Sequence, residues 1–362
     1  MRVLFVIAHL GKGGGAQTQA VRVIREISKT NETLLLTLRS NGKGVVKAPC
    51  KTEFVGELKF PGGIFSLSRK IKEVEGDFDV VQCLDSYYSL PAFYLSGSKK
   101  PAFLRSGMIP VKDLQSRGKH LHALVYRALE PFFLSKIKKV MVNSRSMLSY
   151  YSNALFVPNG YDVNDFERTM SKTALRNMLN LPQDRMIAAY TGKVIPRKNL
   201  EVVFQAIKFL PDFHLLVIGE TNEEYYGDRY FRMLKKKYSD ILYRVTFVEE
   251  QPFKNMLSYL HASDVYVFPS RIEGSPNSVL EAMLCKLPVV CSDIPAHREI
   301  IEHEKTGLLF RSTSELVKHL GRLCDKKEQL QFGKLAYNFV AKHHNIKDTA
   351  EKYLASYKEA LK

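Results

Sequence analysis

The sequence lacks any hydrophobic run that approaches the roughly 18 residues needed to cross a bilayer. Its first residues, MRVLFVIAHL, are mostly apolar, but glycine and charge follow where a signal peptide would have a small-residue cleavage site. We therefore interpret this stretch as a strand and expect a cytoplasmic protein.

Cysteine is also scarce. The five cysteines are odd in number and far apart, and there is no CxxC pair or Cys/His cluster. This pattern indicates neither a disulfide framework nor a zinc site. Low-complexity tracts and short repeats are absent as well.

Positive charge, in contrast, is abundant and uneven. The net charge is +17, and residues 1–160 carry +13 of it, with 24 Lys/Arg against 11 Asp/Glu. Such asymmetry favours an anionic partner of the first half, either a membrane surface or a nucleic acid. Simple solubility explains it equally well.

Short apolar stretches alternate with helical ones along the whole chain. RVLFVIAHL, ETLLLTLRS, FDVVQCLD, KKVMVNSRSM and ALFVPNGYD are strand candidates in the first half, and MIAAYTGKV, FHLLVIGE, RVTFVEE, DVYVFPS and PVVCS in the second. Strands that are apolar throughout suit parallel sheets covered on both faces. We expect an α/β protein with two doubly wound, Rossmann-like domains that face a central cleft. The domains would span residues 1–160 and 161–344, and a C-terminal helix at about 345–362 could pack back on the first.

Residues 115–139 form a basic amphipathic segment. Its apolar stripe consists of Leu121, Leu124, Val125, Ala128, Leu129, Phe132 and Phe133, and its basic residues are Arg117, Lys119, Arg127, Lys136, Lys138 and Lys139. A helix of this kind can lie in a membrane interface. A core helix with a solvated face has the same pattern and is more common, so we expect most of the stripe to be core.

The richest stretch is SRIEGSPNSVLEAMLCKLPVVCSDIPAHREI, residues 270–300. Ser275 is a good N-cap and Pro276 suits a first helical turn, so the first free N–H groups would belong to Asn277 and Ser278. Helix starts of this kind attract phosphate. Glu273 and Glu281 flank this helix start. One carboxylate could bind sugar hydroxyls at one end of a diphosphate and the other the ribose at the far end.

Carboxylates beside phosphates need cations to offset them. TGKVIPRKNL supplies Lys193 and Lys198 after a predicted strand. Fixed ammonium groups stabilise a departing nucleoside diphosphate more strongly than the bound substrate, which is what catalysis requires. Either lysine alone is more often a solvated surface charge, but the glutamate pair strengthens the functional interpretation.

These residues resemble a known family. SRIEGSPNSVLEAM…LPVVCSD…REII…TGLLF is similar to the Glu-x7-Glu signature of the retaining glycosyltransferases of family 4. TGKVIPRKN resembles that family's Gly-Arg-x3-6-Lys donor motif, FVPNGYDVNDF its inter-domain segment, and GKGGGAQTQAVRVI its amino-terminal glycine loop and first helix. The resemblance implies a GT-B fold, with the donor nucleotide bound by the C-terminal domain and the acceptor by the N-terminal one.

The resemblance also implies roles for individual residues. Glu273 would contact the donor sugar or its phosphate region, and Glu281 the ribose. The remaining donor residues would be Lys193 and Lys198 on the diphosphate, the amides of Asn277 and Ser278, and the glycines Gly14, Gly15 and Gly192.

The sequence departs from the family pattern at four positions. Lys193 replaces an arginine, Gln17 a glutamate, and Lys286 a common glycine. Leu84 stands where the family often has a histidine that faces the sugar. We therefore take Asp85 and Arg105, each placed just after a predicted strand, as candidates to line the acceptor site.

The sequence as a whole predicts a retaining, metal-independent glycosyltransferase without a cofactor, acting in glycan, glycolipid or cell-surface polysaccharide synthesis. It would use a UDP- or GDP-sugar and a glycan or lipid-linked acceptor, and the basic first half could contact an anionic membrane. Three alternatives remain: a sugar-nucleotide epimerase of the same fold, a nucleotide-binding oxidoreductase, and a non-catalytic protein that binds anionic lipid or nucleic acid. The absence of an RNA-binding motif argues against a nucleic acid partner.

Overall fold

The computed structural model describes residues 1–10, 15–39, 49–221 and 228–362. The chain forms two compact units, the first made of Met1–Tyr161 with His344–Lys362 and the second of Asp162–His343. The division lies one residue from the boundary expected from the sequence, and the C-terminal helix belongs to the first unit.

The first unit is built on a parallel sheet of seven described strands. They are β1 (Arg2–Val6), β2 (Glu32–Arg39), β3 (Lys51–Glu57), β4 (Val80–Cys83), β5 (Ala102–Ser106), β6 (Ile137–Val142) and β7 (Ala154–Phe156), in the order β3-β2-β1-β4-β5-β6-β7. Its helices are α1 (Gly15–Ile27), α2 (Gly62–Val74), α3 (Ser89–Ser96), α4 (Pro110–Ser116), α5 (His120–Leu134) and the C-terminal helix. Apolar clusters cover both faces of the sheet, as expected for strands without polar alternation.

The second unit has a parallel sheet of six described strands. They are β8 (Met186–Thr191), β9 (Phe213–Ile218), β10 (Val245–Val248), β11 (Val265–Phe268), β12 (Val289–Ser292) and β13 (Leu308–Phe310), in the order β10-β9-β8-β11-β12-β13. The helices are α6 (Lys172–Met178), α7 (Glu201–Lys208), α8 (Arg229–Lys237), α9 (Phe253–Ala262), α10 (Asn277–Leu284), α11 (Pro295–Arg298), α12 (Thr313–Arg322) and α13 (Lys326–His343), and the C-terminal helix is α14 (Ile346–Ala360). Short 3-10 turns span Glu75–Asp77, Arg145–Met147, Val163–Phe166, Pro196–Lys198 and Ser239–Arg244.

Each sheet has a point where the strand order reverses. In the first unit this point lies between β1 and β4, and in the second between β8 and β11. Open α/β sheets bind ligands beside the carboxyl ends of the strands at such switch points. The predicted α/β class with two doubly wound sheets is confirmed.

Some local predictions were wrong. The strands Lys51–Glu57 and Leu308–Phe310 were not predicted; the first lies at a sheet edge and has only two large apolar residues, and the second is only three residues long. After the stretch TGKVIPRKNL, helix α7 begins only at Glu201. Asn199 has a left-handed backbone (φ 54°) that ends the preceding 3-10 turn.

The prediction that the apolar stripe of α5 is core was also wrong. Leu121, Leu124 and Phe132 are 72%, 66% and 60% exposed. The helix instead buries Ala123, Tyr126 and Glu130. An amphipathic pattern defines a face but not its direction, and here the apolar face points to solvent. Among the described residues, no helix is both long and apolar enough to cross a membrane.

Candidate functional site

The switch point of the second sheet brings the predicted donor residues together. Lys193 and Lys198 follow β8, and Glu273 lies on the loop after β11, the neighbouring strand. Because parallel neighbours end at the same edge, segments about 75 residues apart in sequence meet there.

Glu273 and Lys198 form a buried ion pair. The Lys198 Nζ atom lies 2.5 Å from Glu273 Oε1, and the two side chains are 12% and 9% exposed. The same carboxylate oxygen accepts a hydrogen bond of 2.6 Å from the Ser270 hydroxyl. The Arg197 guanidinium lies 3.6 Å from it. Lys198 also stands over the Phe268 ring, 4.7 Å from the centroid, so an aromatic surface fixes the ammonium from a second side.

The charges of this cluster do not cancel. Burial opposes ionisation of Glu273, but the positive charges of Lys198 and Arg197 hold the pKa of this carboxyl below its usual range. Burial lowers the pKa of Lys198; the attraction of Glu273 partly opposes this effect, and Arg197 adds to it. Two cations therefore face one carboxylate, and this surplus suits an anionic ligand.

The second lysine also has a carboxylate partner. Lys193 Nζ lies 3.0 Å from Glu220 Oε2, and Glu220 directly follows Gly219 at the end of β9. This pair is more open, with side chains 44% and 21% exposed. Each predicted diphosphate-binding lysine is therefore held by a glutamate from a neighbouring strand end.

Two glycines set the spacing of this edge. Gly192 (φ 142°) and Gly219 (φ 148°) follow β8 and β9 in a backbone region that side chains rarely adopt. A Cβ atom on Gly219 would lie only 2.1 Å from the Gly192 carbonyl oxygen. The close approach of the two strand ends thus requires glycine, and Gly192 was predicted while Gly219 was missed.

The start of α10 differs from the prediction. Pro276, not Ser275, is the N-cap residue, with φ −78° and ψ 91°, and it provides no side-chain cap. Asn277 is the first helical residue. The Ser278 hydroxyl hydrogen-bonds to Tyr266, whose hydroxyl also lies 2.8 Å from Thr191 Oγ1. Ser278 is thereby tied to the end of β8.

Glu281 lies one turn further along α10 and is only 7% exposed. Its contact with a ribose stays a prediction. Among the described residues, no group of three or more His, Cys, Asp or Glu side chains could hold a metal ion.

The acceptor candidates of the first unit have structural partners. Asp85 follows β4 as predicted; its Oδ2 accepts from the Ala8 amide at 2.7 Å, and its Oδ1 accepts from the amides of Tyr87, Tyr88 and Ser89. The carboxylate thus caps the start of α3 and ties it to the end of β1.

The predicted position of Arg105 was wrong. It lies within β5, not after it, and is 5% exposed. Its guanidinium donates to the Tyr353 hydroxyl and to Asn159 Oδ1. Because the sequence shows Arg105 as a charged residue, its burial beneath the C-terminal helix could not be predicted.

The remaining predicted positions fall in the first unit. Gly15 is the first residue of α1, and Gly14 lies outside the described residues. Leu84, at the position of the family histidine, packs in the apolar core. Sequence reasoning missed the partners Arg197, Glu220 and Ser270. The available signal was that all three lie inside stretches already singled out, FHLLVIGE, TGKVIPRKN and SRIEGSPNSVLEAM.

Together, the fold and the site define a two-unit α/β protein with a cationic, carboxylate-paired site at the switch point of its second sheet. Residues 171–339 match the family model described as glycosyl transferases group 1. This range contains the whole of the site.

The curated relatives that match the chain include glycosyltransferases. The chain is 26% identical over 208 residues to the UDP-Gal:alpha-D-GlcNAc-diphosphoundecaprenol alpha-1,3-galactosyltransferase of Escherichia coli, an alignment that covers 54% of this chain and 51% of the relative. It is 23% identical over 250 residues to the lipopolysaccharide 1,2-N-acetylglucosaminetransferase of Salmonella typhimurium, covering 65% and 64%. The chain thus spans between about half and two thirds of the length of these relatives.

Solved structures match over nearly the full chain. Anabaena HepE in complex with UDP and glucose has a TM-score of 0.84 at 16% identity, covering 99% of this chain and 100% of that one. WaaG, a glycosyltransferase involved in lipopolysaccharide biosynthesis, has a TM-score of 0.74 at 15% identity, covering 97% and 98%. At this identity the likeness establishes the fold. The family model and the curated relatives support the resemblance at the level of the glycosyl transferases group 1.

Proposed function

We propose that this protein is a retaining glycosyltransferase of family 4 that moves a sugar from a nucleotide sugar to an acceptor hydroxyl in glycan, glycolipid or cell-surface polysaccharide synthesis. The observation that carries this proposal is the buried Glu273–Lys198 pair with Arg197 beside it, at the switch point of the second sheet. The donor is a UDP- or GDP-sugar, in keeping with the UDP and glucose named for the Anabaena protein.

A diphosphate would compete with the two glutamates for the lysines. Lys198 would turn from Glu273, and Lys193 from Glu220, toward phosphate oxygens. Glu273 would then be available to accept hydrogen bonds from sugar hydroxyls. As the bond to the sugar breaks, negative charge grows on the departing diphosphate, and the two ammonium groups stabilise this charge more than they stabilise the bound donor.

The proposed reaction proceeds with retention at the sugar carbon. The acceptor hydroxyl attacks from the face that the diphosphate leaves, and the leaving phosphate oxygen takes the hydroxyl proton. The lysines supply the positive charge at the diphosphate, so the proposal includes neither a metal ion nor a cofactor. The first unit binds the acceptor. Of the two residues expected there, Asp85 lies at a strand end and stays the candidate, whereas Arg105 is buried within β5.

Donor binding is tested by the melting temperature of the protein in the presence of UDP-, GDP- and ADP-sugars. A ligand that binds the folded state but not the unfolded state raises this temperature by mass action. We expect one nucleotide class to raise it and Lys198→Ala to abolish both the shift and the turnover. Lys208→Ala is the control, because Lys208 forms a surface pair with Asp240 at the far end of α7.

Two outcomes would reject the transferase. The first is the absence of a shift with every nucleotide sugar tested, and the second is a Lys198→Ala variant with full turnover. Conversion of the donor to an isomeric nucleotide sugar without any acceptor would instead indicate the epimerase.

A second element of the proposal concerns the membrane. The exposed apolar face of α5, formed by Leu121, Leu124, Val125, Leu129 and Phe132, lies on the unit that carries most of the positive charge. Exposed cationic side chains lie on this helix or close to it in sequence: Arg117, Lys119, Arg127, Lys136 and Lys138. Apolar insertion and attraction to anionic headgroups together suit a bilayer surface. We place the protein at the cytoplasmic face of a membrane, with a lipid-linked acceptor.

Vesicle flotation tests this contact. We expect recovery with vesicles of phosphatidylcholine and phosphatidylglycerol, weak recovery with phosphatidylcholine alone, and loss of recovery in the double variant Leu124→Ser, Phe132→Ser. Leu330→Ser is the control, since Leu330 is equally exposed but lies on the second unit. Equal recovery with both vesicle types would reject the contact, as would a concentration-dependent dimer that the double variant abolishes.

A further inference from the structure

His297 is a buried titratable residue that the proposed reaction does not use. It lies in α11, after β12, and is 0% exposed. Its Nδ1 atom lies 2.7 Å from the Ser292 carbonyl oxygen. Since a carbonyl can only accept, Nδ1 carries the proton of the neutral ring. In the described part of the chain, Nε2 is buried and has no hydrogen-bond partner.

A chain of hydrogen bonds leads from this ring to the proposed donor site. The Ser292 hydroxyl donates to the Ser270 carbonyl oxygen. The Ser270 hydroxyl in turn donates to Glu273 Oε1 at 2.6 Å, the oxygen that holds Lys198. The ends of β12 and β11 are thereby tied to each other and to the carboxylate.

A second contact reaches Lys198 from the same ring. His297 packs against Phe268 with ring centroids 5.7 Å apart and an interplanar angle of 65°. The Lys198 ammonium lies 4.7 Å from the centroid of the same phenylalanine. His297 therefore helps to fix Phe268, together with Tyr190 and Tyr266 at centroid distances of 5.9 and 6.1 Å, and Phe268 in turn supports the lysine.

We propose that His297 is a positioning residue that fixes Glu273 and Lys198 through Ser292, Ser270 and Phe268. This proposal rests on the proposed transferase for its kinetic consequences, but its geometry is independent of that function. Residues that hold substrate-contacting groups in the productive geometry commonly determine the catalytic rate that those groups support.

The charge state of the ring follows from its surroundings. Burial lowers the pKa of His297, and the nearby charge of Lys198 acts in the same direction, while the bond to Ser292 and the charges of Glu273 and Asp293 oppose them. Asp293 itself is paired with Arg298 and Arg311. The ring is therefore neutral at pH 7, and protonation would add a third positive charge beside Lys198 and Arg197. We expect turnover to be unchanged down to about pH 6.5 and to fall only at more acidic pH, where the buried ring takes up a proton.

Two substitutions separate positioning from packing. His297→Asn can keep a donor near the Nδ1 position, whereas His297→Phe keeps the ring but leaves the Ser292 carbonyl without its donor. We expect kcat of the Phe variant to fall about tenfold, with the donor KM changed much less and the acid limb of the pH profile lost. The Asn variant should recover most of kcat. Equal kcat in the two variants, or a loss that only follows their melting temperatures, would overturn the proposal.

A spectroscopic measurement tests the same geometry without turnover. In protein with ¹⁵N-labelled histidine, the ring signals missing from His297→Asn belong to His297. We expect the tautomer with the proton on Nδ1, no protonation at pH 6.5, and a shift on addition of UDP that Lys198→Ala abolishes. The opposite tautomer, or protonation at the ordinary pH, would overturn the proposal even if the protein is a transferase. The expected tautomer in a protein that binds no nucleotide would reject the transferase alone.

Discussion

A carboxylate lies at the switch point of each sheet, Asp85 in the first unit and Glu273 in the second. The two are satisfied in different ways. Asp85 accepts only backbone amides among its described partners, from the end of β1 and the start of α3. Glu273 accepts from side chains, those of Lys198 and Ser270, with Arg197 close by.

This difference decides which carboxylate can change partners. Backbone amides cannot leave Asp85 without disrupting the strand end and the helix start. Side chains can leave Glu273 by rotating about their own bonds, so an arriving anion can displace them while the fold persists. We infer that two units of the same architecture use the same position for different purposes, structural support in the first and exchange of partners in the second.

The largest effect we expect comes from Glu273→Gln. The amide preserves the shape of the side chain but removes the charge that would accept hydrogen bonds from the sugar after Lys198 turns to phosphate. Turnover should fall by about 10²-fold, comparable with the loss of one preorganised contact to the transition state, while UDP still binds, because Lys198 and Arg197 keep their charges. Turnover and UDP titration measure the two effects.

Glu302→Gln is the matched control, because Glu302 is an exposed partner of Lys305 in the same unit. Unchanged turnover in Glu273→Gln would show that the carboxylate is structural in the second unit as well and would remove the contrast.

The next effect should appear as stability in the first unit. Asp85→Ala leaves the four amides without their acceptor, and we expect the free energy of unfolding to fall by about 3 kcal/mol, more than for the loss of a single cap. Denaturant unfolding measures this loss. UDP binding to the folded fraction should be unchanged.

Asp240→Ala, which breaks only a surface pair, should cost at most about 1 kcal/mol. A raised KM for the acceptor in Asp85→Ala, without a loss of stability, would instead support the acceptor role of this residue.

The contrast between the two carboxylates also shows which features of the site could be predicted from the sequence. Continuous apolar stretches predicted most of the strands, and a spaced motif predicted Glu273, Lys193 and Lys198. Their partners could not be predicted, because Glu220 and Ser270 reach the site only when the strand ends pack together. The direction of the apolar face of α5 and the burial of Arg105 depend on the same packing.

The two units should also differ in their response to acid. In the second unit, burial and neighbouring arginines lower the pKa of His214 to about 4, and burial and nearby Arg168 and Lys172 lower that of His261 to about 4, although a backbone bond opposes the effect there. The unfolded chain takes up protons on these histidines at a higher pH than the folded chain does. The stability that the two neutral histidines contribute is therefore present above about pH 6.5 and is lost as the pH falls toward 4.

We expect a loss of about 2 kcal/mol per histidine, seen by calorimetry at pH 7 and pH 5 as destabilisation of the second unit. His214→Gln should weaken this pH dependence, whereas His122→Gln, at an exposed position of the first unit, should not. A steeper loss in the first unit would contradict the comparison.

The smallest effect concerns backbone strain. Four described non-glycine residues have left-handed backbones, Asn180, Asn199, Lys286 and Glu304, and all lie in the second unit; the corresponding described positions of the first unit, Gly97 and Gly118, are glycines. Lys286 (φ 59°) ends α10 at a position where its carbonyl oxygen approaches the backbone at Gly333, and its ammonium lies 5.0 Å from the Tyr337 ring centroid.

Lys286→Gly removes the strain of the left-handed backbone, which stabilises the fold by about 1 kcal/mol. It also removes the ring contact, which costs about 0.5 kcal/mol, and it raises the conformational entropy of the unfolded chain, which costs stability as well. The balance is therefore a small change relative to the native lysine. Lys286→Ala loses the ring contact and keeps the strain, so the glycine variant should exceed it in unfolding free energy by about 0.5 kcal/mol. If the alanine variant is as stable as the glycine variant in denaturant titrations, the left-handed backbone does not lower the free energy of unfolding of the second unit. The contrast in strain between the units would then disappear.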